Sequence, residues 1–379
     1  MIRGSSNGRA PKQPKARAGL IGTIRPGGFV PVVVLLWWSL SFGQALPPSA
    51  RQGSADPVVA QSTGHSDQDA ALSQARSLVQ QGKLTEAERA VQQYLTTHAN
   101  SADGHYLLGS IYFQEVHEQA SPQGQAELEY SNPGVVDSKV KQAKAKASLA
   151  EYTEGAKYRV PSAFELNVVA FDYILLGDYA DADKWLTRAL QSTPEDTEGW
   201  YYLGRTKYNE NRFEEAIKAF QRCLKTDPAS LRAQYNLGLA YQGLGRTEDA
   251  AAAFRTAIAW QQHKLNQDPE PFIDLGSLML DENQSQDALP YLLRAVAISP
   301  QEFRAHEQLG RAFEHLDQLQ KAQTEFEKAV ALAPQNARLH YVLGQVYRKE
   351  GLAEKAKLEF DRSSALRRDS PSEGHNESH

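Results

Sequence analysis

Ten histidines, one cysteine and 46 carboxylates are the side chains of this 379-residue chain that could transfer a proton, attack a carbonyl or hold a metal. None stands at the spacing such chemistry needs. A zinc hydrolase sets two histidines one helical turn apart around a glutamate, a phosphate loop reads G-x-x-x-x-G-K-S/T, and a serine nucleophile turn reads G-x-S-x-G; the chain contains none of these. Gly243-Leu244-Gly245 lacks the preceding strand that a dinucleotide site requires. Cys223, alone, can form neither an internal disulfide nor a cysteine metal cluster, and reads as small core packing. His105, His306 and His340 recur at bulky packing positions. His375 and His379 lie in the polar tail Asp369 to His379, where weak metal affinity competes with disorder. Paired acids such as Glu214-Glu215 suit the positive end of a helix dipole and have no catalytic companion. The expectation is a non-enzymatic protein with no cofactor and no bound metal.

The elements that carry these side chains follow from a repeat. Leu203-Gly204, Leu237-Gly238, Leu275-Gly276, Leu309-Gly310 and Leu343-Gly344 lie 34, 38, 34 and 34 residues apart. Ala216, Ala250, Ala288, Ala322 and Ala356 each follow the glycine by twelve residues. Within a unit, apolar residues recur at helical spacing. A turn carrying Gly177, Gly245 or Gly351 comes next, and the second helix then places an alanine, a large residue and a small one, as in Ala216, Phe220 and Cys223. Small residues admit close helix approach and the large one fills the space between. Thr193-Pro194, Asp227-Pro228, Ser299-Pro300 and Ala333-Pro334 stop the second helix, because proline disfavours helical geometry before it and donates no hydrogen bond. A 34-residue period of this kind marks a stacked helix-turn-helix array. The units fall at 68–101, 102–162, 163–196, 197–230, 231–268, 269–302, 303–336 and 337–368, preceded by a flexible lead-in at 46–67.

Two units break the period. The second carries a 27-residue insertion near 115–141, containing Ser121-Pro122 and Asn132-Pro133-Gly134, which reads either as a contact element or as a tolerated surface excursion. Lys139, Lys141, Lys144 and Lys146 come after it as a basic run at a helix start, either a solvated face or a contact for an acidic partner. The fifth unit holds four extra residues around Trp260 to Gln267, which predicts a second helix about one turn longer.

Residues 1–45 differ from the rest. Arg3, Arg9, Lys12, Lys15, Arg17 and Arg25 stand there without an acid, followed by the apolar run Phe29 to Leu40 and by Gly43-Gln44-Ala45. That order is a secretory signal. Two outcomes stay open: cleavage near Ala45, giving a periplasmic or secreted chain, or retention as an inner-membrane anchor, which Trp37 and Trp38 would suit. Membrane contact is expected only through this segment, if uncleaved. What remains holds 35 basic against 46 acidic residues, which disfavours general nucleic-acid binding.

The unit containing Trp200, Leu203, Gly204, Phe213, Ala216, Phe220 and Pro228 resembles the tetratricopeptide repeat family, and the resemblance extends over roughly 68–368. It implies an all-α, right-handed superhelical solenoid of about eight repeats. It also implies a ligand surface on the concave face, at first-helix positions two, five, nine, twelve and thirteen. Those positions are Tyr106, Phe113, Phe164, Asn167, Phe171, Tyr201, Arg205, Tyr208, Asn209, Arg232, Tyr235, Arg304, Glu307, Arg311, Glu314, Arg338, Tyr341 and Arg348. The amino-terminal half is aromatic and the carboxy-terminal half arginine-rich, the residue types that dominate interface energetics; part of the aromatic set serves packing between units. The Lys and Asn set with which some relatives grip a terminal carboxylate is not reproduced. The implied function is a scaffold of the bacterial envelope that holds a protein or peptide segment in the groove. The alternatives are an anionic polysaccharide binder using the arginine-rich half and an accessory to another enzyme. Self-association through the last helix also stays open, since Leu352, Leu358, Phe360 and Leu366 have no later unit to cover them.

Overall fold

The computed structural model describes residues 63–118 and 135–369. The expectations for the signal segment, most of the lead-in, the core of the insertion and the tail beyond Asp369 lie outside the described residues. Sixteen helices and no strand are present among the described residues, and they pair into eight hairpins. In order these are Thr63–Gln80 with Leu84–Thr97, Ala102–Glu118 with Val135–Gly155, Ala163–Leu176 with Tyr179–Ser192, and Thr197–Asn209 with Phe213–Thr226. Leu231–Gly243 with Thr247–Gln261, Glu270–Asp281 with Ser285–Ile298, Phe303–His315 with Leu319–Leu332, and Ala337–Lys349 with Ala353–Asp369 complete the array. Each hairpin is one unit of the period, so the fold is the all-α repeat solenoid that the spacing predicts. The first helix starts at Thr63, inside the stretch expected as lead-in.

Packing within a hairpin rests on the predicted small and large positions. Ala216, Phe220 and Cys223 are buried, as are Ala250, Phe254 and Ala257. Gly238 shows why the first helix needs a glycine there: a Cβ on it would stand 2.5 Å from the Phe254 ring, closer than packed atoms tolerate. Burial pushes the Cys223 thiol up to about 11, consistent with an inert packing role. First helices of successive units also touch one another, as in units one and two, two and three, four and five, and six and seven. They form one continuous face; the second helices form the other.

Caps set the unit junctions. Ser162 and Glu165 close a reciprocal capping box, and Asp178, Asp196 and Asn336 accept from backbone N–H groups at their helix starts. The ring N–H of the fourth residue donates to the carbonyl six residues earlier in four units: His105 to Ala99, Trp200 to Pro194, His306 to Pro300 and His340 to Pro334.

The two irregular units depart from expectation. In unit two the insertion is partly absorbed as helix, since the first helix runs 17 residues and the second 21. The lysine run therefore sits beyond the first turn of Val135–Gly155. Lys144 Nζ is 2.6 Å from Glu115 and lies over the Tyr112 ring, making it a strut between helices. In unit five the second helix is not one turn longer. It ends at Gln261 after 15 residues, against 14 in units four, six and seven, and the extra residues form a loop. The cause is Gln261: its buried amide donates to the Asp268 carbonyl (3.0 Å) and accepts from Asp268 N–H (2.7 Å), so the side chain closes the loop over the helix end.

Candidate functional site

The face built by the first helices is where the candidate ligand residues converge, and burial divides them. Position five is closed by residues that come later in the chain. Tyr106 is buried, stacks on Tyr152, and donates to the Arg159 carbonyl while the Arg159 guanidinium covers its ring. Tyr201 is buried beneath Arg232 of the next unit, and Tyr235 is buried with its hydroxyl donating to Asp274 of the next unit. Glu307 is buried with Arg338 of the next unit 3.0 Å away. Tyr106 is thus closed within its own unit, while Tyr201, Tyr235 and Glu307 belong to the joints between units, and none of the four lines an open groove. Asn167 is half-buried and donates to Asp196. Tyr341, in the last described unit, is exposed, against Phe360 and under Arg367.

The arginine-rich half is stitched shut by carboxylates. Arg304 lies against both Glu270 (2.5 Å) and Asp274 (2.9 Å). Arg311 reaches Asp281 (3.1 Å) and Arg338 reaches Glu307, each from the preceding unit. Arg232 pairs with Glu198 (2.6 Å), and Glu314 accepts from Lys349. Burial and the neighbouring acids hold the Glu270 carboxyl up at about 7, against the pull of Arg304; Asp274 is raised by burial as well. Arg348 is exposed beside the Phe360 ring. The field that an anionic ligand would meet here is largely cancelled by acids of the preceding units.

The aromatic half is different. Phe113 stacks on Phe171 with centroids 6.0 Å apart, and Phe171 meets Tyr202 at 4.4 Å. This strip crosses units two, three and four. Phe164 is exposed, Tyr208 is half-buried edge-on to Phe213, and Asn209 is exposed. Beside the strip is Arg205, half-buried and in the same register as Arg311. Arg311 finds Asp281 thirty residues earlier. Thirty residues before Arg205 stands Leu175, and no carboxylate pairs with Arg205 among the described residues. Tyr202, at position six, is not one of the positions that the repeat pattern singles out; its signal in the sequence is the unbroken run Trp200-Tyr201-Tyr202.

Among the described residues no three metal-ligating side chains converge, and no helix is long and apolar enough to cross a membrane.

Models described as tetratricopeptide repeat match residues 72–116, 203–264, 303–336 and 337–370. No curated protein matches the chain. Among solved structures it is similar to YrrB, described as a TPR protein with an unusual peptide-binding site, at 24% identity, covering 49% of this chain and 93% of that one, with a TM-score of 0.41. MamA 41-end from Desulfovibrio magneticus RS-1 is 23% identical over 46% of this chain and 97% of its own, with a TM-score of 0.42. The C-terminal part of a TPR repeat-containing protein from Cytophaga hutchinsonii is 17% identical over 61% and 93%, with a TM-score of 0.49.

Proposed function

Since the chain belongs to the tetratricopeptide repeat family, whose repeats serve protein–protein interaction, we propose that it is a non-enzymatic scaffold that holds a partner segment on the first-helix face of units two to four. The observation that carries this reading is Arg205: a half-buried cation without a carboxylate, beside the strip Phe113, Phe171 and Tyr202. A cation held in partly desolvated surroundings pairs more strongly than one in open water, and aromatic area supplies most of the contact energy at interfaces. The segment that fits is extended and carries an acid next to a large apolar residue. The basic and apolar residues 1–45 favour placing the scaffold in the bacterial envelope, either exported or anchored there. The arginine-rich half is a weaker candidate for an anionic polysaccharide, because Arg304, Arg311 and Arg338 already face acids.

A photo-crosslinking amino acid at Phe164 or Asn209 in the full chain should capture one dominant envelope protein, and Arg205→Glu should abolish the capture. The same probe at Lys218, on the opposite face, should capture nothing specific. Equal capture from Lys218, or capture unaffected by Arg205→Glu, rejects the assignment of this face.

A further inference from the structure

The repeat supplies its own control for reading the second-helix face. Where unit four exposes Lys218, Gln221 and Lys225, unit five exposes Ala252, Arg255 and Ala259 in the same register, and unit six exposes Pro290, Leu293 and Ala297. A polar surface thus gives way to one that is apolar with interspersed arginine. Neither stretch contains an acid between Ala250 and Gln267 or between Ala288 and Gln301. Trp260 is partly exposed at the end of the unit-five helix, Leu293 is 50% exposed, and Leu265, at the tip of the four-residue insertion, is fully exposed. His263 and Lys264 flank it and are exposed.

The tip is held rather than loose. Gln261 binds both backbone groups of Asp268, Gln267 donates to the Gln261 and Gln262 carbonyls, and Arg294 donates to Gln267. The loop that carries Leu265 into water is thereby closed at its ends, so part of the backbone entropy of ordering it is already lost before any partner arrives. Arg255, Lys264 and Arg294 have no carboxylate within ion-pair distance among the described residues, so their charge faces outward. The tip projects as a convex feature. That shape suits a soft surface into which one or two side chains sink, with cations meeting phosphates around them.

We propose that the second-helix face of units five and six is a peripheral membrane contact for anionic lipid. Leu265 and Trp260 enter the headgroup boundary, and Lys264, Arg255 and Arg294 pair with lipid phosphates. The contact is independent of the first-helix face and of residues 1–45.

The test uses the full chain with Cys223→Ala and one new cysteine carrying an environment-sensitive fluorophore, at Leu265 or, as control, at Gln221. Vesicles of equal parts phosphatidylglycerol and phosphatidylcholine should shift the Leu265 label to the blue, and phosphatidylcholine alone should not. High salt should reverse the shift, the Gln221 label should stay unchanged, and Lys264→Glu should weaken the partition about tenfold. Trp260→Ser, at an already exposed position, should weaken it comparably without altering the melting curve. If the protein sediments with anionic vesicles while the Leu265 label is silent, binding runs through other residues and the assignment fails. A Leu265 label that responds only to an added soluble protein makes the patch a protein contact and also overturns it.

Discussion

The imidazole of His306 lies 2.6 Å from Glu325 through Nδ1 and 3.1 Å from the Pro300 carbonyl through Nε2. His340 repeats this with Glu359 and Pro334, and His105 repeats it with Glu151 and Ala99. The separation is 19 residues in the first two pairs and 46 in the third, the difference being the inserted stretch of unit two. The carbonyl takes a proton from Nε2, so the second nitrogen and the carboxylate share one further proton. The carboxylate contact therefore ties together the two helices of one hairpin, and the carbonyl contact ties the first helix to the turn that precedes it.

His105 gives that coupling a measurable sign. Burial alone would lower its pKa, but the hydrogen bond to Glu151, the Ala99 carbonyl and the Glu151 and Glu154 charges outweigh it, so the ring titrates above its ordinary 6.5. A folded-state value above the unfolded one stabilises fully below pH 6.5 and is lost as pH rises through the folded value. His105→Phe, which borrows the residue type of Phe272 at the matching position, should melt closer to the parent at high pH than at pH 6. An unchanging difference between the two melting curves across this range would refute the coupling.

Asp172 makes the opposite kind of contribution. It is buried at the junction of units two and three, beside Ser148, with Oδ2 unpaired, and burial pushes its carboxyl up to about 8. The unfolded chain ionises it above about 3.8, while the folded chain keeps the proton, so stability falls as pH rises from about 4 to 8. Its register positions in units five and seven are Ala240 and Ala312, both buried. Asp172→Ala should raise stability at pH 8 by roughly 3–6 kcal/mol, less the cost of the space left behind, and should flatten the pH profile. Denaturant titrations at pH 5 and pH 8 decide it; a substitution that destabilises more at pH 8 than at pH 5 contradicts the assignment.

Every regular hairpin turns through one residue with positive φ. Gly82, Gly177, Gly245 and Gly351 take it in four units, and Asn211, Asn283 and Asp317 take it in three, with φ of 58°, 59° and 57°. An aspartate pays for the left-handed conformation where a glycine does not. Asp317→Gly should therefore stabilise the array by about 1 kcal/mol, read as a rise in urea midpoint with unchanged slope. A lower midpoint would mean that the Asp317 side chain contributes more than its backbone costs.

That turn also marks what the sequence made legible. The glycines announced a turn, while Asn211, Asn283 and Asp317 meet the same backbone demand with residues equally common on helix surfaces. The five units from Leu203-Gly204 to Ala356 read clearly because leucine–glycine and the alanine twelve residues later serve one packing geometry in each. Position five could not be resolved in the same way. Its burial depends on a partner one unit later: Arg232 over Tyr201, Asp274 beside Tyr235, Arg338 against Glu307. Arg311 and Arg205 look alike in the linear pattern, and only the acid Asp281 contributed by the preceding unit separates the neutralised one from the other.

Gln261 decides how the extra residues of unit five are used. A residue of this kind with no backbone to bind would be excluded from the core, since an unpaired buried amide costs about 1–3 kcal/mol; here both of its polar atoms are satisfied by Asp268. Without the clamp the Asp268 N–H and carbonyl lose their partners, and Gln267 and Arg294 lose a fixed loop to hold. Gln261→Ala should cost about 1–3 kcal/mol by the same reasoning and should open the segment between Gln262 and Asp268 to proteolysis and fast hydrogen exchange. Protection of the neighbouring helices Leu231–Gly243 and Ser285–Ile298 should persist. Loss of protection across the whole array would instead show that the clamp supports the stack, and unchanged exchange in the loop would show that Leu265 is held by something other than Gln261.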